Sequence, residues 1–321
     1  MIGCDSVNRY YALSTYFQKK YGKKYIKLSL DGGFSCPNRD GKLSHKGCIF
    51  CSGEGSGDFS GIVEKGQKVI SDSLQNQAES QKQLLKTKWS NAHFIGYFQN
   101  YTNTYKPLEE LGQIYDAALA IEGIEGIAIS TRPDCILEAH IKLFKSKSVM
   151  WVELGLQTIH DARASWLRRY YDTDDFLFAY NRLKAADIPV VVHLILGIPG
   201  ESKTDFLKTI DFMNTVKPFG IKLHMLNVLK GTDLGILYED KPFDLLSESV
   251  YIDWVCDALE ILDPEIVIHR LTGDGPKDLL LAPRWVLNKR SVLNGINKCL
   301  VTRNSYQGMR FNKDPKTEKV D

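Results

Sequence analysis

Three cysteines define the chemistry open to this chain. Cys36, Cys48 and Cys51 stand in CPNRDGKLSHKGCIFC with the spacing C-x11-C-x2-C, just after the strand-like run Tyr25 to Leu30. Two cysteines two residues apart can aim both sulfurs at one metal centre, and a third, returned by a glycine-containing loop, completes a face of three thiolates. The fourth position is left open. On a [4Fe-4S] cluster that difference decides function: four protein thiolates make an electron carrier, whereas three leave one iron able to bind a substrate. Asp31-Gly32-Gly33, Gly41 and Gly47 supply turns around the cysteines. Phe50 sets an aromatic ring beside the last thiolate, where it can exclude water.

Plainer readings stand beside this one. A structural zinc site needs four ligands, and the nearest extra candidates are His45 inside the loop and Cys4 upstream. Disulfides suit a secreted protein, but seven cysteines is an odd number, and the opening MIGCDSVNRYY has no apolar signal core. Unrelated buried thiols are the third alternative. The residues downstream favour the iron-sulfur reading.

Parallel α/β folds build their sites at the C-terminal ends of strands, and the unusual polar groups fall at such ends. Gln99, Asn100 and Thr102 follow the second expected strand. Arg132, after the third, has the form of a carboxylate or phosphate clamp, with Asp134 as a competing partner. Glu153 lies in the apolar fourth strand and needs a cationic partner there. His193 opens HLILGIPGE, whose glycines, Gly197 among them, let backbone approach a flat ligand. Read alone, His193 is more often a hydrogen-bonded core histidine than a ligand. On the sixth strand Lys222, His224 and Asn227 are placed on one face, with Leu223 and Met225 on the other. The spacing does not say which face points inward.

With the cysteines, the segments YFQNYTNTY (97–105), ELGLQT (153–158) and RLTGDGP (270–276) resemble the radical S-adenosylmethionine (SAM) superfamily. The usual spacing there is C-x3-C-x2-C. The longer C-x11-C is similar to the branch containing the catalytic subunit of Elongator, and the combination resembles most specifically the bacterial YtqA/YhcC-type family, over roughly residues 9 to 300. The resemblance implies a partial (β/α)6 barrel, a [4Fe-4S] cluster on Cys36, Cys48 and Cys51, and SAM on the open iron. An electron from flavodoxin or ferredoxin then cleaves SAM to a 5′-deoxyadenosyl radical, which takes hydrogen from the substrate. Gln99, Asn100 and Thr102 stand where the superfamily has a Gly-Gly-Glu segment that this chain lacks, so the SAM-contacting role carries over to them only loosely. Glu153 is expected at the SAM ammonium or ribose, with Gln157 and Gly197 as further contacts. Arg132, His193 and Arg270 are the expected catalytic residues. The Elongator-like branch implies tRNA as substrate, at the carbon 5 side chain of a wobble uridine. A similarity to oxygen-independent coproporphyrinogen oxidase keeps a small carboxylated or porphyrin-like substrate, held by Arg132 or Arg270, as the alternative. A zinc-bearing RNA-binding protein is the non-enzyme alternative.

The elements that must position these residues alternate along the chain. Residues 9 to 22 read as an amphipathic helix whose aromatics serve packing, and Val63 to Trp89 as a long proline-free helix. Strands follow at His93 to Phe98, Gly126 to Ser130, Val149 to Leu154, Pro189 to Leu196 and Ile221 to Leu229, with helices at Leu108 to Ile121, Ile136 to Lys145, Asp174 to Ala186 and Lys203 to Val216. An eight-fold barrel takes about 31 residues per unit, so the 205 residues from Tyr25 to Leu229 fit six units. The expected division is an N-terminal helical segment (1–24), the α/β barrel (25–230), a C-terminal α+β extension that closes it (231–311) and a loose polar tail (312–321). The extension reads as helix Leu245 to Leu262, strand Glu265 to His269 and helix Arg290 to Leu300.

An apolar content of 43% over 321 residues suits a sizeable core. No apolar run approaches the ~18 residues of a bilayer span, so the expectation is a cytoplasmic protein without a membrane partner. The formal charge is +2, but residues 276–321 carry ten Lys and Arg against four Asp and Glu. Such asymmetry points to an anionic partner such as RNA, or more plainly to a solvated basic tail.

Overall fold

The structure is a computed structural model and describes residues 9–53, 55, 62–64, 67–69, 73–85, 93–273 and 275–312. Cys4, Asp274, the last residues of the expected helix 63–89 and all but Asn312 of the expected tail lie outside the described residues.

Helix α1 (Leu13–Tyr21) is followed by strand β1 (Tyr25–Leu30) and the cysteine loop. Where one long helix was expected, two three-residue strands, β2 (Ile62–Glu64) and β3 (Gln67–Val69), pair antiparallel, and among the described residues of that stretch α2 (Leu74–Leu85) is the helical part. The β-branched residues Ile62, Val63 and Val69 favour extended backbone, which the lack of proline did not reveal. Then come β4 (His93–Phe98), α3 (Leu108–Leu119), β5 (Ile124–Thr131), α4 (Glu138–Ser146), β6 (Val149–Gln157), α5 (Asp161–Trp166), α6 (Thr173–Ala185), β7 (Val190–Leu196), α7 (Lys203–Val216) and β8 (Gly220–Met225). The C-terminal part adds β9 (Val228–Leu229), α8 (Asp233–Asp240), α9 (Glu248–Ile261), β10 (Val267–Arg270), β11 (Leu280–Ala282) and α10 (Lys289–Thr302).

Seven strands form one parallel sheet in the order β1-β4-β5-β6-β7-β8-β10. Its architecture is the partial α/β barrel with a C-terminal extension. The extension does not close that barrel, however. Its strand β10 lengthens the sheet beside β8, leaving β1 and β10 as the two edges.

Period-two alternation divides the strands between two environments. Leu28, Leu30, Ile127, Ile129, Val152, Leu154, Val190, Val192, Ile221 and Leu223 face outward into the main core, against helix residues such as Leu111, Phe144, Phe176, Ile210 and Leu259. The near-continuous apolar run VVVHLIL of β7 is what a strand covered on both faces requires. Side chains cap the starts of several helices. Ser202 Oγ accepts from Asp205 N at 3.2 Å ahead of α7, and Asp172 Oδ1 accepts from Asp175 N at 2.9 Å ahead of α6, each cap contributing about 0.5–2 kcal/mol.

The inner face forms a smaller cluster of Ile95, Tyr97, Ala128, Trp151 and Val191 with Phe17 of α1. Phe17 sits with its ring 4.5 Å from Tyr25 and 6.2 Å from Trp151, and Tyr16 packs 4.9 Å from Phe219. Helix α1, ended by Gly22 at φ +64°, thus covers the bottom of the barrel. The segment before it bonds to the edge of β10, with Ile268 N donating to Tyr11 O at 2.8 Å. No helix among the described residues is long and apolar enough to cross a membrane.

Candidate active site

The long gap between Cys36 and Cys48 is an excursion pinched shut at its neck. Gly47 N donates to Asn38 O at 2.7 Å, Arg39 N to Cys36 O at 2.8 Å and Leu43 N to Pro37 O at 2.8 Å. Gly47 adopts φ +75°, and a Cβ there would meet Arg39 Nε at 3.0 Å, so the neck calls for glycine. In this way eleven intervening residues bring Cys48 back beside the loop's origin. Cys51 follows on a turn, its N–H donating to Cys48 O at 3.0 Å. The loop is held to the barrel by Ile49 N to Leu167 O at 3.1 Å and by the buried Asn38, whose Nδ2 donates to Arg168 O at 3.0 Å and approaches Cys48 Sγ at 3.5 Å. Arg39 Nη2 donates to Cys51 O at 2.8 Å.

All three cysteines line one cavity of about 370 Å³ at the C-terminal mouth of the barrel, together with Phe50. The described cysteines are free thiols. Burial pushes the Cys48 thiol up to about 12, and the neighbouring Cys51 adds to the shift. Such a thiol becomes a thiolate only when positive charge arrives, as an iron centre would bring it. Among the described residues, no three His, Cys, Asp or Glu side chains gather around a single ion position. Thiols spread around a cavity suit a cubane, in which each binds a different iron. His45, the extra zinc candidate, is exposed on the excursion and does not line the cavity.

Below the cysteines the inward positions of the strands form a polar floor. Glu153 is 1% exposed, and its two oxygens accept five hydrogen bonds. Oε2 receives Tyr97 Oη at 2.6 Å, His193 Nε2 at 2.6 Å, Ser130 Oγ at 3.1 Å and the Lys222 ammonium, while Oε1 receives Trp151 Nε1 at 2.9 Å. The cationic partner that its burial demands is supplied by Lys222, itself 1% exposed. Burial raises the Glu153 carboxyl, but Lys222 and His193 more than reverse this and hold it well below the usual carboxylate range. Burial, with Lys222 next, pulls His193 down to about 4. Since Glu153 can only accept, His193 Nε2 carries the proton of the neutral ring, leaving Nδ1 as an acceptor.

The expected site residues divide. Gln99, Thr102, Arg132, Glu153, Gln157, His193 and Arg270 line the same cavity as the cysteines. Arg132 is already engaged, with Nε and Nη2 on the two Asp134 oxygens at 2.9 and 2.7 Å and its guanidinium 4.8 Å from the Tyr171 ring. Gln157, at φ +62°, ends β6, and its Oε1 accepts from Tyr171 Oη at 3.2 Å. Asn100 and Gly197 stand outside the cavity. Asn100 is wholly buried and donates to Asp31 at 2.9 Å, whereas Gly197, at φ +77°, makes room for Met225 and Leu246. Lys222 and His224 point inward. Thr102 Oγ1, His224 Nε2 and Asn227 Oδ1 are buried in the cavity wall without partners among the described residues, as befits a pocket for a polar ligand.

The sequence pattern of the Radical SAM superfamily matches residues 41–213, and that of the Radical_SAM C-terminal domain matches residues 218–301. The chain belongs to the radical SAM superfamily. The first match opens at Gly41 inside the excursion, so Cys36 precedes it. This radical SAM chain is 40% identical to YtqA of Bacillus subtilis (strain 168) over 96% of its own length and 94% of that protein's. It is 31% identical to YhcC of Escherichia coli (strain K12), over 84% and 85% of the two. The archaeal Elp3 of Methanocaldococcus infernus has a similar fold, with a TM-score of 0.64 at 16% identity, covering 89% of this chain and 64% of that one. Radical SAM membership makes the chain an enzyme and implies a [4Fe-4S] cluster and SAM as cofactors.

Proposed function

We propose that Cys36, Cys48 and Cys51 hold a [4Fe-4S] cluster, that SAM occupies the cavity above Glu153, and that the enzyme modifies the carbon 5 side chain of a wobble uridine in tRNA. One observation carries the chemistry: the three thiols open onto the same cavity as Gln99, Thr102, Gln157, His193 and Arg270. Bound there, cluster and SAM supply a one-electron cleavage that yields a hydrogen-abstracting 5′-deoxyadenosyl radical, the electron coming from a flavodoxin- or ferredoxin-type donor. The chain's own residues bind and aim. Phe50 and the tied loop exclude water from the thiols, the Glu153 network fixes the floor, and His193 Nδ1 offers a neutral acceptor. Gln157 and the unpartnered Thr102 hydroxyl offer polar contacts to the cofactor.

For tRNA, support comes from the likeness to Elongator complex protein 3 and from exposed charge on the stretch of chain that leaves the cavity wall. Pro276 lines the cavity, and the exposed Lys277, Arg284, Arg290 and Lys298 follow it. Arg303, counted with this basic stretch in the sequence, is spent on Asp257 and Glu260 at 2.7 and 3.2 Å and on Asp253. A small carboxylated substrate is the second reading, favoured by Arg270 in the cavity wall. Nucleoside mass spectrometry of tRNA from a strain lacking this protein separates them. The tRNA reading expects one modified uridine to vanish or a precursor to accumulate, and an unchanged nucleoside profile contradicts it.

A further inference from the structure

The barrel is open along one side, and cations line the opening. A groove of about 400 Å³ lies along edge strand β1, lined by Lys24, Tyr25, Ile26 and Lys27, and is completed by Arg270 from the opposite edge strand β10. It shares Ser29, Tyr97, Gln99 and Arg270 with the cavity below the cysteines, so the seam leads to the floor. Lys27 lies three residues before the end of β1, about 10 Å below the strand's mouth at ~3.3 Å per residue. This end of the cavity is therefore remote from the thiols.

Among the described residues, the charges here do not balance. Glu153 is the floor's one carboxylate among the described residues lining the cavity, and its oxygens are taken by Lys222 and four neutral donors. Lys27 rests its ammonium on the faces of Tyr97 and Trp151, 4.8 and 5.9 Å from the ring centroids, without an ion pair among the described residues. Arg270 likewise has no carboxylate or hydrogen-bond acceptor among them. Burial pulls the Lys27 ammonium down and Arg270 adds to the fall, while Glu153 and a hydrogen bond with Lys222 oppose it. Lys27 and Arg270 are both half-buried, so bound oxygens there would be partly shielded from water, and a five-donor fork beside an ammonium is built to receive carboxylate or phosphate oxygens.

We infer that Lys27 and Arg270 form an anion subsite where the groove meets the cavity floor, which takes a carboxylate or phosphate group of the substrate entering through the seam between β1 and β10. The inference rests on this cavity being where the substrate is held. It adds that the substrate carries a negative group as well as its reacting part, a carboxymethyl side chain being one that fits. Lys222, tied to Glu153, keeps that carboxylate from competing for the two free cations.

The test titrates the anaerobically reconstituted enzyme with acetate, inorganic phosphate and neutral acetamide by calorimetry, and measures iron content and SAM affinity in the same samples. Acetate or phosphate should bind and acetamide should not. Lys27→Met with Arg270→Gln should weaken the anion at least tenfold, while iron per chain and SAM affinity stay at wild-type values. Should the double variant fail to fold, Arg270→Gln alone, at a strand edge, should weaken it at least threefold. No anion binding by the wild type, or an anion affinity untouched by the substitutions, overturns the subsite. A parallel loss of SAM affinity also overturns it, by assigning the cations to the cofactor's own carboxylate. Loss of iron and SAM binding in the wild type would instead overturn the proposed function, because anion binding is read separately.

Discussion

At the scale of single residues, the floor of the cavity turns on one carboxylate. Glu153→Ala leaves Lys222 buried without its counter-charge, which should cost about 3–5 kcal/mol of stability. Converting both residues to Met should restore most of that loss, as read by urea unfolding. A Glu153→Ala protein of wild-type stability that has lost SAM affinity would show that the carboxylate serves the cofactor. His193 makes a second claim. Burial and Lys222 hold it near 4, below the ~6.5 of an unfolded chain. The unfolded state therefore binds a proton between these values that the folded state refuses. The resulting stability is fully present above about pH 6.5 and drains away as pH falls to about 4, by at most about 3 kcal/mol. His193→Gln, which keeps a donor for Glu153, should flatten that part of the stability profile, and superimposable wild-type and variant profiles would contradict the assignment. The sequence shows that Glu153 needs a cation. It does not show that Lys222, 69 positions away, supplies it, because that follows only from β6 and β8 flanking β7 in one sheet with both side chains turned inward. Lys27 passed without a role because one lysine in YIKLSL reads as a solvent-facing position on an edge strand.

At the scale of elements, the cysteine loop depends on its neck. Gly47→Ala places a Cβ at φ +75° against Arg39 and should cost about 1–3 kcal/mol locally. The barrel does not rest on that turn. Iron occupancy after reconstitution should therefore fall more steeply than the midpoint of thermal unfolding followed by circular dichroism, and equal losses in both would mean that the loop and barrel fold as one unit. Strands β1 and β4 and helix α7 were legible to the residue, since the alternation of strand-like and helix-like runs marks such segments. Helices α5 and α8 were not, being too short for a 3.6-residue period to show. Nor was the place of β10, since four residues carry no signal of the edge they join. The excursion's neck was invisible for a related reason. Glycines at 41 and 47 announce turns, but the Asn38–Gly47 bond that brings Cys48 back is a matter of register.

At the scale of the whole molecule, the six-unit estimate from length located the barrel, and polar residues at the C-terminal ends of its strands located its mouth. Charge counting was less faithful. Arg303 belongs to the basic stretch by sequence, yet three carboxylates of α9 neutralise it, so the face offered to an anionic partner is smaller than the count implies. The account stands or falls on the three thiols acting together. Anaerobic reconstitution of the full chain should give about four irons per protein and a brown colour absorbing near 400 nm, as expected of a [4Fe-4S] centre. Cys36→Ala, Cys48→Ala and Cys51→Ala should each abolish both signals while leaving the fold intact by circular dichroism. Cys135→Ala, Cys256→Ala and Cys299→Ala should keep the cluster. Full iron retention in Cys48→Ala, or a wild-type protein that binds one zinc in place of iron, would contradict it.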